Sequence, residues 1–282
     1  MILFVGSVFS PYYAWARRRG QPNPEDHCAF NVALYGEKRG HWSMTERDRH
    51  TLHRDRDTLI VGPSQARWVD GELLLDIDEL TFPRPAYLRG RIRLTPRVAN
   101  DQALVLDPAG RHRWCALAPC ARVEVEMEKP RVRWQGEGYL DTNAGDEPLE
   151  DGFSGWHWAR ASDPEGTTVL YDVTPRQGAA YRKTIRFDHQ GTMQETPAPE
   201  PAPLPTALWG IRRRIPADTP GQARLVETLE DTPFYARSLV DTEADGRPLR
   251  AVHESLNLDR FASFWVKPLL PFRMPRRTTR GG

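Results

Sequence analysis

The sequence predicts an all-β protein built as a sandwich or barrel, with few and short helices. Three observations carry this. Short runs rich in Val, Leu, Tyr and Trp recur along the chain. Turn signals separate them about every ten residues. Helical periodicity is scarce, and 25 Pro and 21 Gly punctuate the rest.

Trp68–Leu73 reads as a hairpin with Asp70-Gly71 as its two-residue turn. Leu88–Leu94 alternates apolar and basic positions, as a half-solvated strand does. Val105–His112 suggests a second hairpin, with Asp107-Pro108-Ala109-Gly110 at its tip. Val123–Met127 alternates Val and Glu, and Val132–Trp134 extends the pattern past Pro130. Thr167–Val173, Tyr181–Phe187, Leu208–Arg214, Ala223–Leu229 and Leu249–His253 read as further strands. Asp188-His189-Gln190-Gly191 and Asp245-Gly246 supply turns between them. Two segments break the rhythm. Pro197–Pro205 reads as an extended, exposed connector, and the apolar stretch Phe261–Leu270 as the only sizeable helix.

At 282 residues the chain suits two domains, and the expected division is 1–122 and 123–282. The second part would carry the connector at 197–205 and the basic tail from Arg273. The 39 basic residues balance 38 acidic ones, which removes the electrostatic footprint of a nucleic-acid binder. No window has the roughly 18–20 uncharged apolar residues that span a bilayer. Met1–Val8 is apolar, but its basic residues follow rather than precede it, so it is read as part of the mature fold and not as a secretory peptide. Three Cys at unremarkable spacing point to reduced thiols in a cytoplasmic protein.

Cofactor motifs are missing. The glycines form neither G-x-G-x-x-G nor a phosphate loop, and Gly152-Phe153-Ser154-Gly155 is not a nucleophile elbow. His41, Glu46, Asp48, His50 and His53 sit among four arginines that would oppose a cation, so that stretch reads as a polar surface loop. No metal and no organic cofactor are expected.

Two pairs stand out: His112 with Trp114, and Tyr139 with Asp141. Each has i, i+2 spacing, which on a strand puts both side chains on one face. An acid and a base amid aromatic walls suit proton addition to an alkene, which needs a donor, water activation and π-faces for a cation. On spacing alone, the plainer reading is that Trp114 and Tyr139 are core residues, with His112 and Asp141 merely hydrogen-bonded. The stretch Gly138–Ala161 is the densest in the chain, with Asp146, Glu147 and Glu150 close together and the triplet Trp156-His157-Trp158.

Phe4-Val5-Gly6-Ser7-Val8-Phe9-Ser10-Pro11-Tyr12-Tyr13, His27–Gly36, Trp42–Arg47 and the stretch Gly138–Ala161 together resemble carotenoid 1,2-hydratases. The likeness covers most of residues 1–190. It implies two lipocalin-like (calycin or AttH-like) domains and cofactor-independent hydration of neurosporene- or lycopene-type acyclic carotenoids. It also implies catalytic roles for His112, Trp114, Tyr139 and Asp141. Trp156, His157, Trp158, Tyr12 and Tyr13, which lie in the matching stretches, are the candidate substrate-binding residues.

In the expected reaction Asp141 protonates C2 of the terminal alkene, Trp114 and Tyr139 face the tertiary cation at C1, and His112 activates the water. The partners are then the carotenoid and water. Peripheral membrane association is expected through the basic tail Arg273–Arg280. A lipocalin-like carrier, or an AttH-like isomerase or cyclase, would keep the aromatic lining but would lack the acid or exclude water, respectively.

Overall fold

A computed structural model describes residues 1–36, 40–219 and 221–278. The chain forms two compact units: Met1–Thr95 with Arg122–Gly136 and Lys267–Gly282, and Pro96–Ala121 with Glu137–Val266. One crossing between them falls at 121/122. The others fall at 95/96, 136/137 and 266/267, because a long hairpin and the C-terminal segment both belong to the first unit.

The first unit holds an antiparallel meander: Leu52–Arg54, Thr58–Val61, Ser64–Val69, Glu72–Leu80 and Tyr87–Pro96. The Asp70-Gly71 turn has φ of 51° and 81°, the left-handed pair that a two-residue hairpin requires. Alternate residues of these strands, with Val32, Val125 and Met127, close a core around Ile77 and Leu88. Gly90 interrupts the apolar pattern because a Cβ there would lie 2.4 Å from the Glu126 carbonyl.

Cys28–Leu34 pairs with Ile2–Val5 and His41–Met44. Of the stretch expected as a polar surface loop, Arg49, His50 and His53–Arg56 are exposed as expected, whereas Glu46, Arg47 and Asp48 are buried. Glu46 and Arg47 form a short buried strand; Arg47 makes a two-pronged pair with Glu79 at 3.0 and 2.8 Å, and Ser64 Oγ donates to the same carboxylate at 2.8 Å. Arg276, from the segment expected as a free basic tail, donates to Glu46 and to the Asp26 carbonyl and pairs in parallel beside Glu46–Arg47. Arg273 covers the Trp42 ring at 4.4 Å. Buried acids recruited these arginines, which hydropathy alone cannot show. Residues 279–282 of the expected tail lie outside the described residues.

The second unit is built on a seven-stranded antiparallel sheet. Its order is Met193–Pro197, Tyr181–Asp188, Gly166–Pro175, Phe153–Asp163, Arg247–Asn257, Tyr235–Ala244, Arg224–Asp231. The sheet is open, as in a sandwich. On one face Ala159, Leu170, Val240 and Ala251 pack on Leu204 and Ile215 of the two-stranded ribbon Pro201–Leu204 and Arg213–Pro216. The proline-rich connector is thus extended, yet half internal: Ala202 and Leu204 point inward while Pro203 faces water. Leu208–Arg214 is mostly loop, with Leu208 99% exposed.

Two long strands serve both units. His112–Lys129 and Val132–Gly145 reverse at Pro130-Arg131, where the pattern from Val123 to Trp134 had read as continuous. Proline has no N–H for the ladder, so the chain turns there. The helices are short. Phe261–Leu270 divides into the end of Leu258–Ala262 and a 3-10 segment, Lys267–Phe272, and the longest helix described is Pro11–Arg17. Among the described residues no helix is long and apolar enough to cross a membrane, and all three cysteines are free and buried.

Candidate active site

The site lies within the second unit, on the sheet face opposite the ribbon. Side chains alternate along a strand, so Trp156, Trp158 and Arg160 of Phe153–Asp163 share this face. The cross-strand register puts Tyr171 and Glu254 beside Trp158, and Arg237 beside Glu254.

Asp141 is the centre of this group. Trp114 Nε1–H donates to its Oδ2 at 2.8 Å, and Tyr139 O–H donates to the same oxygen at 3.0 Å. Trp114 is 1% exposed and meets Tyr171 edge-on at 5.1 Å. Tyr139 tilts against Trp158 at 5.9 Å and lies under the Arg160 guanidinium, 5.2 Å away. Trp156 meets Tyr171 at 5.7 Å. Among the described residues the buried Trp158 indole N–H has no hydrogen-bond partner.

Burial pushes the Asp141 carboxyl above the usual range, and the charge of Glu254 adds to this. Hydrogen bonds from Trp114 and Tyr139 and the charge of Arg160 pull in the other direction. Burial also holds Tyr139 and Tyr171 well above the ordinary phenol value, so both stay protonated donors. Desolvation lowers Arg160, which donates to Ser162 Oγ at 3.1 Å. The result is a carboxylic acid that can hold its proton, set in an aromatic wall.

The structure therefore brings Trp114, Tyr139, Asp141, Trp156 and Trp158 together. His112 shares a strand face with Trp114, but its contacts are different. Its Nε2 lies 3.5 Å from Glu147 and its ring meets Phe153 edge-on at 4.8 Å. Gly145 and Gly152 are glycine because a Cβ at either would sit within 2.8 Å of the imidazole. His157 is on the other face of its strand, stacked on His253 with ring centroids 6.0 Å apart and bonded to Ser255 Oγ at 3.0 Å. Burial drives His157 well below its usual pKa and His253 down to about 4, so this is a neutral core pair.

Tyr12 and Tyr13 lie in the first unit, on the helix Pro11–Arg17 capped by Ser10. There Tyr13 stacks on His27 at 4.5 Å and Tyr12 meets Trp15 edge-on at 5.7 Å. Sequence reasoning missed Tyr171, Arg160 and Glu254. The alternation that grouped Trp156 with Trp158 reaches Arg160 one step later, whereas Tyr171 and Glu254 needed the strand register. Among the described residues no group of three or more His, Cys, Asp or Glu could hold a metal ion.

The family described as carotenoid hydratase CrtC matches residues 1–281. The acyclic carotenoid 1,2-hydratase of Thiocapsa roseopersicina is 54% identical over 98% of this chain and 68% of its own length. That of Cereibacter sphaeroides is 38% identical over 98% of both. Among solved structures, kievitone hydratase from Nectria haematococca superposes with a TM-score of 0.51 at 12% identity, covering 83% of this chain and 82% of that one, and so shares the fold. With the family matched over residues 1–281 and these relatives over 98% of its length, this chain is a member of the carotenoid hydratase family.

Proposed function

We propose that this hydratase adds water across the terminal C1=C2 bond of acyclic carotenoids of the neurosporene and lycopene type, with Asp141 as proton donor. One observation carries the assignment: both neighbouring donors, Trp114 and Tyr139, converge on Oδ2 of a carboxyl whose pKa is raised. The acidic proton is left to Oδ1.

The alkene π-pair takes that proton at C2, which leaves a carboxylate on Asp141 and a tertiary cation at C1. The two bonds to Oδ2 become charge-assisted at that moment and roughly double in strength, so they act on the transition state more than on the ground state. The faces of Trp158 and Tyr139 stabilise the cation by about 1–2 kcal/mol each when desolvated. Water then adds at C1. His112, beside Glu147, supports the polar end of the site. A carrier would need no acid here, and a buried carboxyl held by two donors serves no purpose in a mere lipid pocket.

The substrate partitions into lipid, and the proposal includes reversible membrane contact. Its support is an apolar tip: Leu208 is 99%, Phe264 87% and Trp209 46% exposed. Arg260 ties the tip together, donating to the Trp209 carbonyl while covering the Trp265 ring at 5.5 Å. Exposed Trp beside cationic Arg suits the headgroup layer. Incubating the purified chain with lycopene in metal-free buffer, followed by mass spectrometry, tests the activity. A product heavier by one water is expected; unchanged lycopene bound to folded protein would leave the carrier reading.

A further inference from the structure

From the placement of Glu254 and the unpartnered indole N–H of Trp158 we infer a water site: Trp158 Nε1–H holds the nucleophilic water and Glu254 accepts its proton. The inference rests on the hydration reading above and adds two residues to it.

The geometry comes first. Trp158 and Glu254 are directly opposed in an antiparallel ladder and point to the same face. Such pairs have Cβ atoms about 4.5–5.5 Å apart, so the indole and the carboxylate are neighbours on that face. Trp158 contacts Tyr139, whose hydroxyl holds Asp141, so the pair borders the acid.

Each member is then incomplete in a complementary way. An indole N–H only donates, and this one is buried without an acceptor, which costs about 1–3 kcal/mol unless something fills it. A water oxygen is an acceptor of the right size. Among the described residues Glu254 is held through Oε1: Arg237 donates to it from Nε at 3.1 Å and from Nη2 at 2.6 Å. Arg237 orients Glu254, and among the described residues no hydrogen bond is made to Oε2, the oxygen that would accept the proton. The negative charge also opposes premature ionisation of Asp141 and attracts the cation, so one carboxylate serves both half-steps.

The chemistry balances. Asp141 loses its proton to C2 and becomes carboxylate. The water oxygen donates a lone pair to C1, forming the C–O bond, and its surplus proton passes to Glu254 Oε2. The product is the neutral tertiary alcohol. Proton transfer from Glu254 to Asp141, directly or through solvent, resets the site with no other reagent. His112, in contact with Glu147 and Phe153, is not required for this step.

The test separates proton delivery from water capture. In D2O, Asp141 delivers deuterium to C2; if no water captures the cation, loss of a proton regenerates the alkene with deuterium in its terminal group. Glu254→Gln keeps the hydrogen bond to Arg237 but cannot take a proton. It should hydrate lycopene at least 10²-fold more slowly while still exchanging deuterium into recovered substrate. Trp158→Phe keeps the ring, loses the donor, and should show the same split more weakly. Asp141→Asn should lose hydration and exchange together. Formate should partly restore Glu254→Ala, a rescue that a purely structural glutamate would not show. Hydration near the wild-type rate by Glu254→Gln overturns the proposal. So does loss of exchange and hydration together in Glu254→Gln and Trp158→Phe when both still fold and bind carotenoid. If Asp141→Asn retains exchange, the underlying acid assignment is what fails.

Discussion

Asp141→Asn isolates the acid. Asparagine preserves the shape and an acceptor for Trp114 Nε1–H and Tyr139 O–H, which now bond at 2.8 and 3.0 Å. What it removes is the transferable proton. Loss of a general acid slows turnover by about 10²–10⁴-fold, equivalent to roughly 3–5 kcal/mol of transition-state stabilisation at 1.36 kcal/mol per decade. Stability should move the other way. The folded pKa of Asp141 is raised above 3.8, so the carboxyl favours the fold most at low pH and loses that contribution as pH climbs through the raised value. Asparagine has no such loss. Above that window the variant should therefore melt at or above the wild-type temperature, and below it the advantage should disappear. The assays are single-turnover hydration of lycopene in detergent, carotenoid binding by visible absorption, and thermal melts across pH. A folded, carotenoid-binding Asp141→Asn protein that hydrates near the wild-type rate refutes the reasoning.

Trp114→Phe and Tyr139→Phe each remove a donor that favours the Asp141 carboxylate. Either should shift the alkaline limb of the rate profile to higher pH and lower the plateau by about 10–100-fold, the worth of one charge-assisted bond. The other groups facing that carboxyl, Arg160, Tyr171 and Glu254, are unchanged in both variants. Gly152→Ala places a methyl 2.7 Å from His112 Nε2 and should cost about 1–3 kcal/mol in urea denaturation, as overpacking does. Glu79→Ala leaves Arg47 buried and unpaired in the first unit and should cost about 3–5 kcal/mol by the same measurement. Leu208→Ser with Phe264→Ser should weaken sedimentation with anionic vesicles without changing the melt; unchanged sedimentation would discard the apolar tip as the contact.

Period-two patterning located strands such as Glu72–Leu80, whose antiparallel ladder alternates buried and part-buried side chains in the residue order. Asp70-Gly71 and Asp245-Gly246 were readable for a local reason, since both turns need positive φ at two successive positions. Trp114, Tyr139 and Asp141 were legible as i, i+2 pairs, but their shared bond at Oδ2 was not, because it joins two strands. The triplet Trp156-His157-Trp158 misled for an equally simple reason: neighbours on a strand face opposite ways, and His157 went to the core. Glu46, Arg47 and Arg276 read as solvated charge because each one's partner lies far along the chain.

The interleaving of the two units also sets an order of assembly. Residues 96–266 contain every segment of the second unit, so the acid and its aromatic wall can form once residue 266 has left the ribosome. The first unit starts earlier but waits longer. Its Glu46 pairs with Arg276 across 230 residues, so its early strands must be kept from wrong pairings until that segment arrives. A chain truncated after residue 266 would then carry the proposed acid and its aromatic wall on a protein whose opening strands still lack their Arg276 partner.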